Sequence, residues 1–529
     1  MWDAQALPPR THEGILNALA EMRDAETLAF REKLGRHYGL RCRRGDTDIG
    51  PVIGRRVQSS LDYARSFPWD WMHLFCENNV PNLVSLWMGR FKTLGDDEGS
   101  GCYIISDNVW AEIAAETTAA MQDIPSAFVS LVPDLINGRE SFTAEIWAFW
   151  FMYLAPTLLY GRFADDKYYD HMMDLIAIMK KTLQFEITRI ELEDLRQDII
   201  RWVERYEELY YQYDADRLSV CLLVVHGLLH VVDDILAAGP VWATWTFFME
   251  RFCGHLKQAL HSRASPWAHL DRLAVNLAHA SQLRAKYSDP ELQAHLSPTS
   301  TRLIHCPEAT HQERVFDGYP LSYLRGPCLK NYQPGQDIRK RVARYLGGLL
   351  GGGTRQVAAN LPSIIPAWGK VRIGHGGDSI RAMIAQRSRL GTHERCSSFV
   401  RYETMAFDAT GQNVREIHYG ELQAILEVYL DSSQRIWGDY RGSTLLLALL
   451  RPCKTNGGDA ARTHVTYHES AAEVVVDLQA IHAVVGRVKS RGKWGIIDRS
   501  NGMARTVFVA EDVSRGDQDP DEVDDRDAY

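Results

Sequence analysis

The spacing of apolar residues changes once along this chain of 529 residues, and that change limits the folds open to it. From residue 67 to about residue 296, apolar side chains recur every three to four positions, as in buried or amphipathic helices. From residue 367 onward they alternate along short runs separated by Gly, Asn or Asp, as in antiparallel strands. The sequence therefore predicts a mainly α region in roughly the first 300 residues, followed by a small antiparallel β-barrel domain.

Composition divides the chain into five predicted segments. Residues 1–66 are predicted as a helix plus a basic loop, 67–296 as a helical domain, and 297–366 as a basic linker containing one helix. Residues 367–510 form the predicted β-barrel domain. Residues 511–529 are predicted to be an acidic, disordered tail.

The formal net charge of -9 averages segments of opposite sign. The tail holds nine acidic residues and two basic ones, whereas residues 302–401 hold sixteen Lys and Arg against six Asp and Glu. Residues 31–56 hold eight basic residues against three acidic ones. Local positive charge attracts phosphate backbones through counterion release, and a basic surface that is merely solvated is the alternative. The candidate nucleic-acid-binding residues are Arg41, Arg43, Arg44, Arg339, Lys340, Arg341 and Arg344.

Cysteine usage and the uncharged stretches bear on the compartment. The nine cysteines form no C-x-x-C pair, and the N-terminus carries no signal peptide, which is typical of a reducing compartment. The longest uncharged stretches, 146–161 and 218–232, are shorter than the roughly 18 to 20 apolar residues of a membrane helix. We therefore expect a soluble protein that is not secreted, located in the nucleus or cytoplasm, with no membrane partner.

One candidate site lies on the predicted helix that follows Pro68. Asp70, His73 and Glu77 fall at i, i+3 and i+7, on one helical face. Two carboxylates and an imidazole on one face can hold a divalent metal or act as acid and base. The structural alternative is an acid that interacts with the helix dipole and a histidine satisfied in the core.

Two further helices carry candidate residues. His226 and His230 lie one turn apart and can chelate a metal, but Gly227 replaces the glutamate of H-E-x-x-H, so no zinc protease is indicated. The sequence favours a buried structural pair at these positions. Glu250 and Arg251 lie at the polar end of an aromatic helix, where such neighbours usually form a weak surface ion pair.

Several aromatic-rich blocks carry a family resemblance. They include the Asp-Trp-Met-His segment with its Glu-Asn (70–78), IPSAF (124–128), FTAEIWAFWFMYLAPTLLYGRF (142–163), VVHGLLHVVDDI (224–235) and GPVWATWTFFMERFCGHLK (239–257). These blocks resemble the C-terminal half of fungal transposases of the CACTA (En/Spm) superfamily. The C-terminal region, with YGELQAILEVYL, LLLALLRPC, VVVDLQAIHAVVGRV and KWGIIDRS, resembles a second module of those elements. The resemblance covers roughly residues 10–505.

The resemblance implies a DD(E/D) transposase with an RNase H-like core, in which three acids hold two Mg²⁺ ions that activate water or a 3′ hydroxyl. It implies that Asp70 is the second acid and Glu250 the third, both of them metal ligands, with a helical insertion between them. The supporting residues would be His73, Glu77, His226, His230 and Arg251. In the family the strands with the first Asp lie well upstream, whereas here only 69 residues precede Asp70.

The leading prediction is a transposon-derived, CACTA-type protein that binds DNA and lacks a complete acidic triad, which leaves catalysis by this chain alone open. One alternative is an active Mg²⁺-dependent DNA strand transferase, with the first Asp supplied by another chain or by missing sequence. Another is a chromatin or protein interaction module. Mg²⁺ is the expected cofactor if the protein is catalytic, and otherwise none; DNA and other transposase chains are the expected partners.

Overall fold

The fold was taken from a computed structural model. The structure describes residues 10–40, 62–91, 94, 101–258, 265–287, 313–374, 377–386, 395–407 and 412–505. The chain divides into two compact units. The first comprises Met1–Ile105, Phe163–Gly254 and Met503–Arg505, and the second Ser106–Arg162, His255–Gly502 and Thr506–Tyr529. Residues predicted to form one helical domain, 67–296, are thus shared between the two units.

Helices dominate the N-terminal region, as predicted. The α-helices are α1 (His12–Arg23), α2 (Leu28–Tyr38), α3 (Val80–Trp87), α4 (Asp107–Ala120), α5 (Ala144–Phe149), α6 (Ala155–Leu158), α7 (Asp166–Thr182), α8 (Arg189–Tyr206), α9 (Leu223–Leu228), α10 (Val231–Ala238), α11 (Val241–Thr244), α12 (Phe247–Gln258), α13 (Pro266–Lys286), α14 (Gln336–Leu350), α15 (Thr354–Asn360) and α16 (Met383–Gln386). Wider π-helical turns occur at Met72–Asn79, Trp150–Leu154 and Glu207–Tyr211. No helix among the described residues is long and apolar enough to cross a membrane.

The first unit is built around an aromatic core. Helix α8 begins with a capping box, in which the Thr188 hydroxyl accepts from the Glu191 N–H and the Glu191 carboxylate accepts from the Thr188 N–H. Its buried face packs on α7, where the His171 ring stacks on Trp202 with ring centroids 4.5 Å apart. The buried Trp87 indole donates to the Tyr210 hydroxyl at 3.0 Å. Tyrosine and tryptophan thus fill this core with their polar atoms satisfied.

The second unit contains two antiparallel sheets. The strands are β1 (Ser322–Leu329), β2 (Ala367–Ile373), β3 (Ser379–Arg381), β4 (Phe399–Phe407), β5 (Asn413–Tyr429), β6 (Thr444–Pro452), β7 (Thr466–Tyr467), β8 (Val474–Asp477), β9 (Ile481–Val484), β10 (Gly486–Ser490) and β11 (Lys493–Ile497). The three-stranded sheet has the order β10-β11-β7. The eight-stranded sheet runs β1-β2-β5-β4-β9, with β3 on β2, β6 on β5 and β8 on β6.

The described strands form no closed barrel, which corrects that part of the fold prediction. Strand β5 is 17 residues long and pairs with three neighbours, β4 along its first half and β2 and β6 along its second. The register shifts between Leu422 and Ala424, where a bulge bends the strand. Strands β8 and β9 pair with different partners and are separated by the 3-10 turn Leu478–Ala480. The antiparallel sheet region itself is as predicted.

The segment 297–366, predicted as a linker, is folded from residue 313 onward. Strand β1 pairs with β2, and helices α14 and α15 cover the sheet. Val342, Leu346 and Val357 are fully buried in the same cluster as Leu426 and Leu447 of the sheet. The one helix predicted in this segment is present as α14, whereas strand β1 and helix α15, which complete the hydrophobic core, were not predicted from its Gly, Pro and Arg content. The acidic tail 511–529 lies outside the described residues.

Candidate functional site

Asp70 begins the segment that contains the predicted acidic helix. Its backbone carbonyl accepts from the Leu74 N–H at 2.8 Å, and its Oδ2 accepts from the His73 N–H at 2.8 Å. A carboxylate that bonds an N–H three residues later is the usual N-terminal cap of a helix. Asp70 therefore holds the first turn of its own segment, which continues as the π-helical turn Met72–Asn79 and helix α3.

The same carboxylate also holds the start of a distant helix. Asp70 Oδ1 accepts from the Thr246 N–H at 2.7 Å, across 176 residues of sequence. Thr246 immediately precedes α12, the helix that carries Glu250. The carboxylate group is shielded, since 16% of the Asp70 side chain is exposed. One shielded carboxylate thus fixes the first turns of two helices.

His73 lies between two carboxylates. Its Nδ1 is 2.6 Å from Asp70 Oδ2 and 3.3 Å from Thr246 Oγ1, and its Nε2 is 3.7 Å from Glu77 Oε2. Donation from Nδ1–H to Asp70 fixes the ring and leaves Nε2 on the side of Glu77. The His73 and Glu77 side chains are 44% and 45% exposed, so solvent reaches both. The predicted common face of Asp70, His73 and Glu77 is therefore present in the structure.

Glu250 lies one helical turn beyond the Asp70 contact. Its N–H donates to the Thr246 carbonyl at 2.9 Å, so the two side chains share a face of the helix. Glu250 and Arg251 are both exposed. The predicted second and third acids are thus connected through Thr246, and the Glu250 carboxylate is open to solvent.

The histidine-containing block packs against the Asp70 segment. Asp234 Oδ2 accepts from the Trp69 N–H at 2.9 Å, and the Asn79 amide donates to the Val224 carbonyl at 3.1 Å. Burial raises the pKa of Asp234 to about 6, and Asp233 adds to the shift while the Trp69 N–H opposes it. A small pocket beside this contact is lined by Pro68, Trp69, Trp71, Leu74, Phe75, Val231, Asp234, Ile235, Gly239, Val241 and Thr244.

His226 and His230 face one another. Their Nε2 atoms are 3.1 Å apart, and the rings meet edge to face. His226 is exposed and His230 is half-buried, so the buried structural pair that the sequence favoured is wrong. Burial, and then His226, lower the pKa of His230.

The hydrogen bonds of the Asp70 carboxylate leave it poorly arranged to act as a Mg²⁺ ligand. Oδ1 accepts one N–H bond, and Oδ2 receives two contacts from His73. A magnesium ion requires oxygen lone pairs directed at it in near-octahedral geometry. Among the described residues, no group of three or more His, Cys, Asp or Glu side chains is placed to hold a metal.

The predicted nucleic-acid-binding residues divide into three sets. Arg339 donates to the Leu361 and Pro362 carbonyls, and Arg341 lies 4.0 Å from Glu473, so both stabilise the fold. Lys340 and Arg344 are exposed on α14, where Lys340 is 3.8 Å from the exposed Asp337. The remaining three, Arg41, Arg43 and Arg44, lie outside the described residues.

Sequence reasoning missed the two residues that connect the site, Thr246 and Asp234. Thr246 directly precedes a helical run, where Thr is a favoured cap, so the sequence could have predicted that a helix begins after it. The hydrogen bond from Thr246 to Asp70 could not be predicted, because bonds between residues far apart in sequence leave no local pattern.

Comparison with known proteins assigns no family. The chain matches no family model, and no curated protein or solved structure matches it. The resemblance to CACTA transposases therefore depends on the sequence blocks alone.

Proposed function

We propose that this chain is a DNA-binding protein derived from a CACTA-type transposase, without a complete catalytic centre of its own. The structure has a helical N-terminal region followed by an antiparallel sheet region. That the helical region is a DDE-type domain, and that the sheet region is the second module of those elements, are inferences from the sequence blocks.

One observation carries the proposal. Three of the blocks that resemble the transposases are far apart in sequence and meet around Asp70: its own segment, the histidine-containing block through the Asp234 bond to Trp69, and the Gly-Pro-Val block through the Thr246 bond to Asp70. Together these blocks carry one shielded carboxylate, a partly exposed histidine and two exposed glutamates, Asp70, His73, Glu77 and Glu250. This convergence supports a common functional origin for the three blocks.

DNA binding is supported by the exposed basic residues of the second unit. Lys340 and Arg344 on α14, and Arg355 on α15, are exposed. The two helices are joined by three glycines, Gly351 to Gly353, and their opposite faces are buried on the sheet. A basic helix surface of this kind attracts a phosphate backbone without reading its sequence.

A plasmid assay with the full chain tests the proposal through two readouts. We expect the chain to retard supercoiled plasmid in low-salt native gels, and to leave it intact with Mg²⁺ or Mn²⁺. Absence of retardation at low salt would contradict DNA binding.

The second candidate is the Mg²⁺-dependent strand transferase, and the position of Glu250 favours it. Glu250 shares a helix face with Thr246, one helical turn away, and the Thr246 N–H bonds to Asp70. This candidate predicts metal-dependent nicking that is abolished in both Asp70→Asn and Glu250→Gln. Glu204→Gln is the matched control, since Glu204 is an exposed glutamate on α8. Nicking that survives both site substitutions would exclude these residues as the metal ligands.

A further inference from the structure

The His226 and His230 rings are directed at each other across one helical turn. His226 lies in α9, and His230 directly precedes α10. The Nε2 atoms are 3.1 Å apart, and the ring planes are inclined at 73°. Two imidazole nitrogens therefore converge on one point at the surface of the first unit.

This separation approaches that of two histidines bound to one metal ion. Zn–N bonds are about 2.0 to 2.1 Å long, and a tetrahedral angle between two of them places the nitrogens about 3.3 Å apart. A metal ion can replace the proton between the two nitrogens once the rings turn so that both Nε2 lone pairs are directed at the ion. Imidazole nitrogens favour zinc and copper, whereas Mg²⁺ favours oxygen ligands.

The surroundings leave the pair open to an ion. His226 is exposed, so water or another molecule can occupy the remaining coordination positions. Asp233, the nearest acidic residue along this face, accepts from Arg196 at 2.7 Å and is therefore already paired. The two histidines thus form an open chelate in which solvent can complete the coordination.

We propose that His226 and His230 bind a divalent transition-metal ion, Zn²⁺ or Cu²⁺, through both Nε2 atoms. The ion would join the end of α9 to the start of α10 across residues 229 and 230. This site is independent of the proposed DNA-binding function, since it uses neither the carboxylates around Asp70 nor the basic residues of the second unit.

Calorimetry and spectroscopy on the full chain test the site. We expect Zn²⁺ affinity to fall at least tenfold in His226→Gln and in His230→Gln. His279→Gln is the matched control, since His279 is an exposed histidine on α13 with no second histidine within one helical turn, and the Zn²⁺ affinity of this variant should stay within twofold of the wild type. Electron paramagnetic resonance of the Cu²⁺ complex should show coupling to two nitrogens in the wild type and to one in either variant.

The proposal is overturned if the double variant His226→Gln/His230→Gln binds Zn²⁺ within twofold of the wild type, or if the wild type binds none. If a variant fails to fold, the Cu²⁺ spectrum of the wild type still tests the proposal, because coupling to fewer than two nitrogens contradicts the chelate. Zn²⁺ should also raise the thermal unfolding temperature of the wild type, since an ion that binds only the folded state stabilises it.

Discussion

Asp70 has two roles that single substitutions can separate. Its carboxylate caps two helices, and it is also the proposed second acid of a transposase site. Each cap requires an acceptor atom, whereas an acid-base group or a charged Mg²⁺ ligand requires a carboxylate. Asparagine keeps one acceptor oxygen, and so one of the two caps, and removes the carboxylate.

We predict that Asp70→Ala lowers the free energy of unfolding by about 2 kcal/mol, because it removes one cap and leaves the Thr246 N–H without its acceptor. Asp70→Asn should cost about 1 kcal/mol or less. Urea unfolding of both variants measures the difference. Glu77→Gln, at an exposed position, should change stability by less than about 0.5 kcal/mol. Equal losses for alanine and asparagine would contradict the capping account, since asparagine keeps one of the two acceptor oxygens.

His171 makes the first unit sensitive to acid. It is fully buried, and burial lowers its pKa to about 4 from the ordinary 6.5. Between these values the unfolded chain binds a proton that the folded chain does not, so stability is complete above pH 6.5 and falls as the pH drops toward 4.

We predict that wild-type stability falls by about 2 kcal/mol from pH 7.5 to pH 5 on account of His171. In His171→Phe, which can keep the stack on Trp202, this fall should be absent. Asp234, with its raised pKa, acts in the opposite sense between about pH 4 and pH 6, so the difference between wild type and variant isolates the histidine. Identical pH slopes in urea unfolding would contradict the assignment.

At the scale of elements, the packing of α9 on the Asp70 segment depends on a glycine. A Cβ on Gly227 would lie 3.0 Å from Leu74 Cδ1 and 3.1 Å from Trp69 Cε2. Leu74 is buried and has little room to move, whereas Trp69 is 36% exposed, so the contact with Leu74 limits a larger side chain here. Gly254 on α12 is the contrasting case, since a Cβ there meets nothing within 4 Å.

We predict that Gly227→Ala destabilises the protein by about 1 to 2 kcal/mol through overpacking. Gly254→Ala should stabilise it by about 0.5 to 1 kcal/mol, because alanine is the better helix former. Thermal or urea unfolding of the pair provides the test. A stabilising Gly227→Ala would mean that the helix and the Asp70 segment are not packed as described.

The sequence could predict a helix or a strand where the apolar residues of that segment repeat at the spacing of one type of secondary structure. The apolar spacing of residues 10–35 predicts one helix from an N-cap at Thr11 to a stop at Gly35, and Thr11 does cap α1. The chain instead forms two helices, with a second cap at Thr27 and an end at Gly39, whose φ is +64°. The runs from residue 368 match β2, β4 to β8 and β11 closely. Strand β6 is buried along most of its length, so its apolar run, bounded by turn residues, and not an alternation, marks it as a strand.

The structural features that the local sequence pattern could not predict depend on contacts between residues far apart in sequence. Strand β1 lies in a Pro- and Gly-containing stretch and is a strand because β2 pairs with it. The register shift in β5 between Leu422 and Ala424, and the strand order of the open sheet, leave no signal in the local sequence. In the site, the shared face of Asp70, His73 and Glu77 followed from spacing, whereas the Thr246 contact required the fold.

At the scale of the whole molecule, charge counted along the sequence overstates the charge available to a partner. Residues 302–401 have a large basic excess, yet several of their arginines are used inside the second unit. Arg372 pairs with the buried Glu313, Arg401 with Asp498, and Arg339 with backbone carbonyls. The proposed DNA contact therefore depends on a few exposed residues of α14 and α15, and not on the stretch as a whole.

The salt dependence of DNA binding tests the central claim most directly. Fluorescence anisotropy with a labelled duplex should give an affinity for the full chain that falls with salt. In Lys340→Gln/Arg344→Gln the slope of log affinity against log salt should decrease by about 1.8, which corresponds to two lost phosphate contacts. Lys454→Gln/Arg462→Gln is the matched control, since these exposed residues of the same unit already pair with Glu469 and Asp459, and it should keep the wild-type slope. Wild-type binding that is absent at low salt, or an equal slope in all three proteins, would contradict the account.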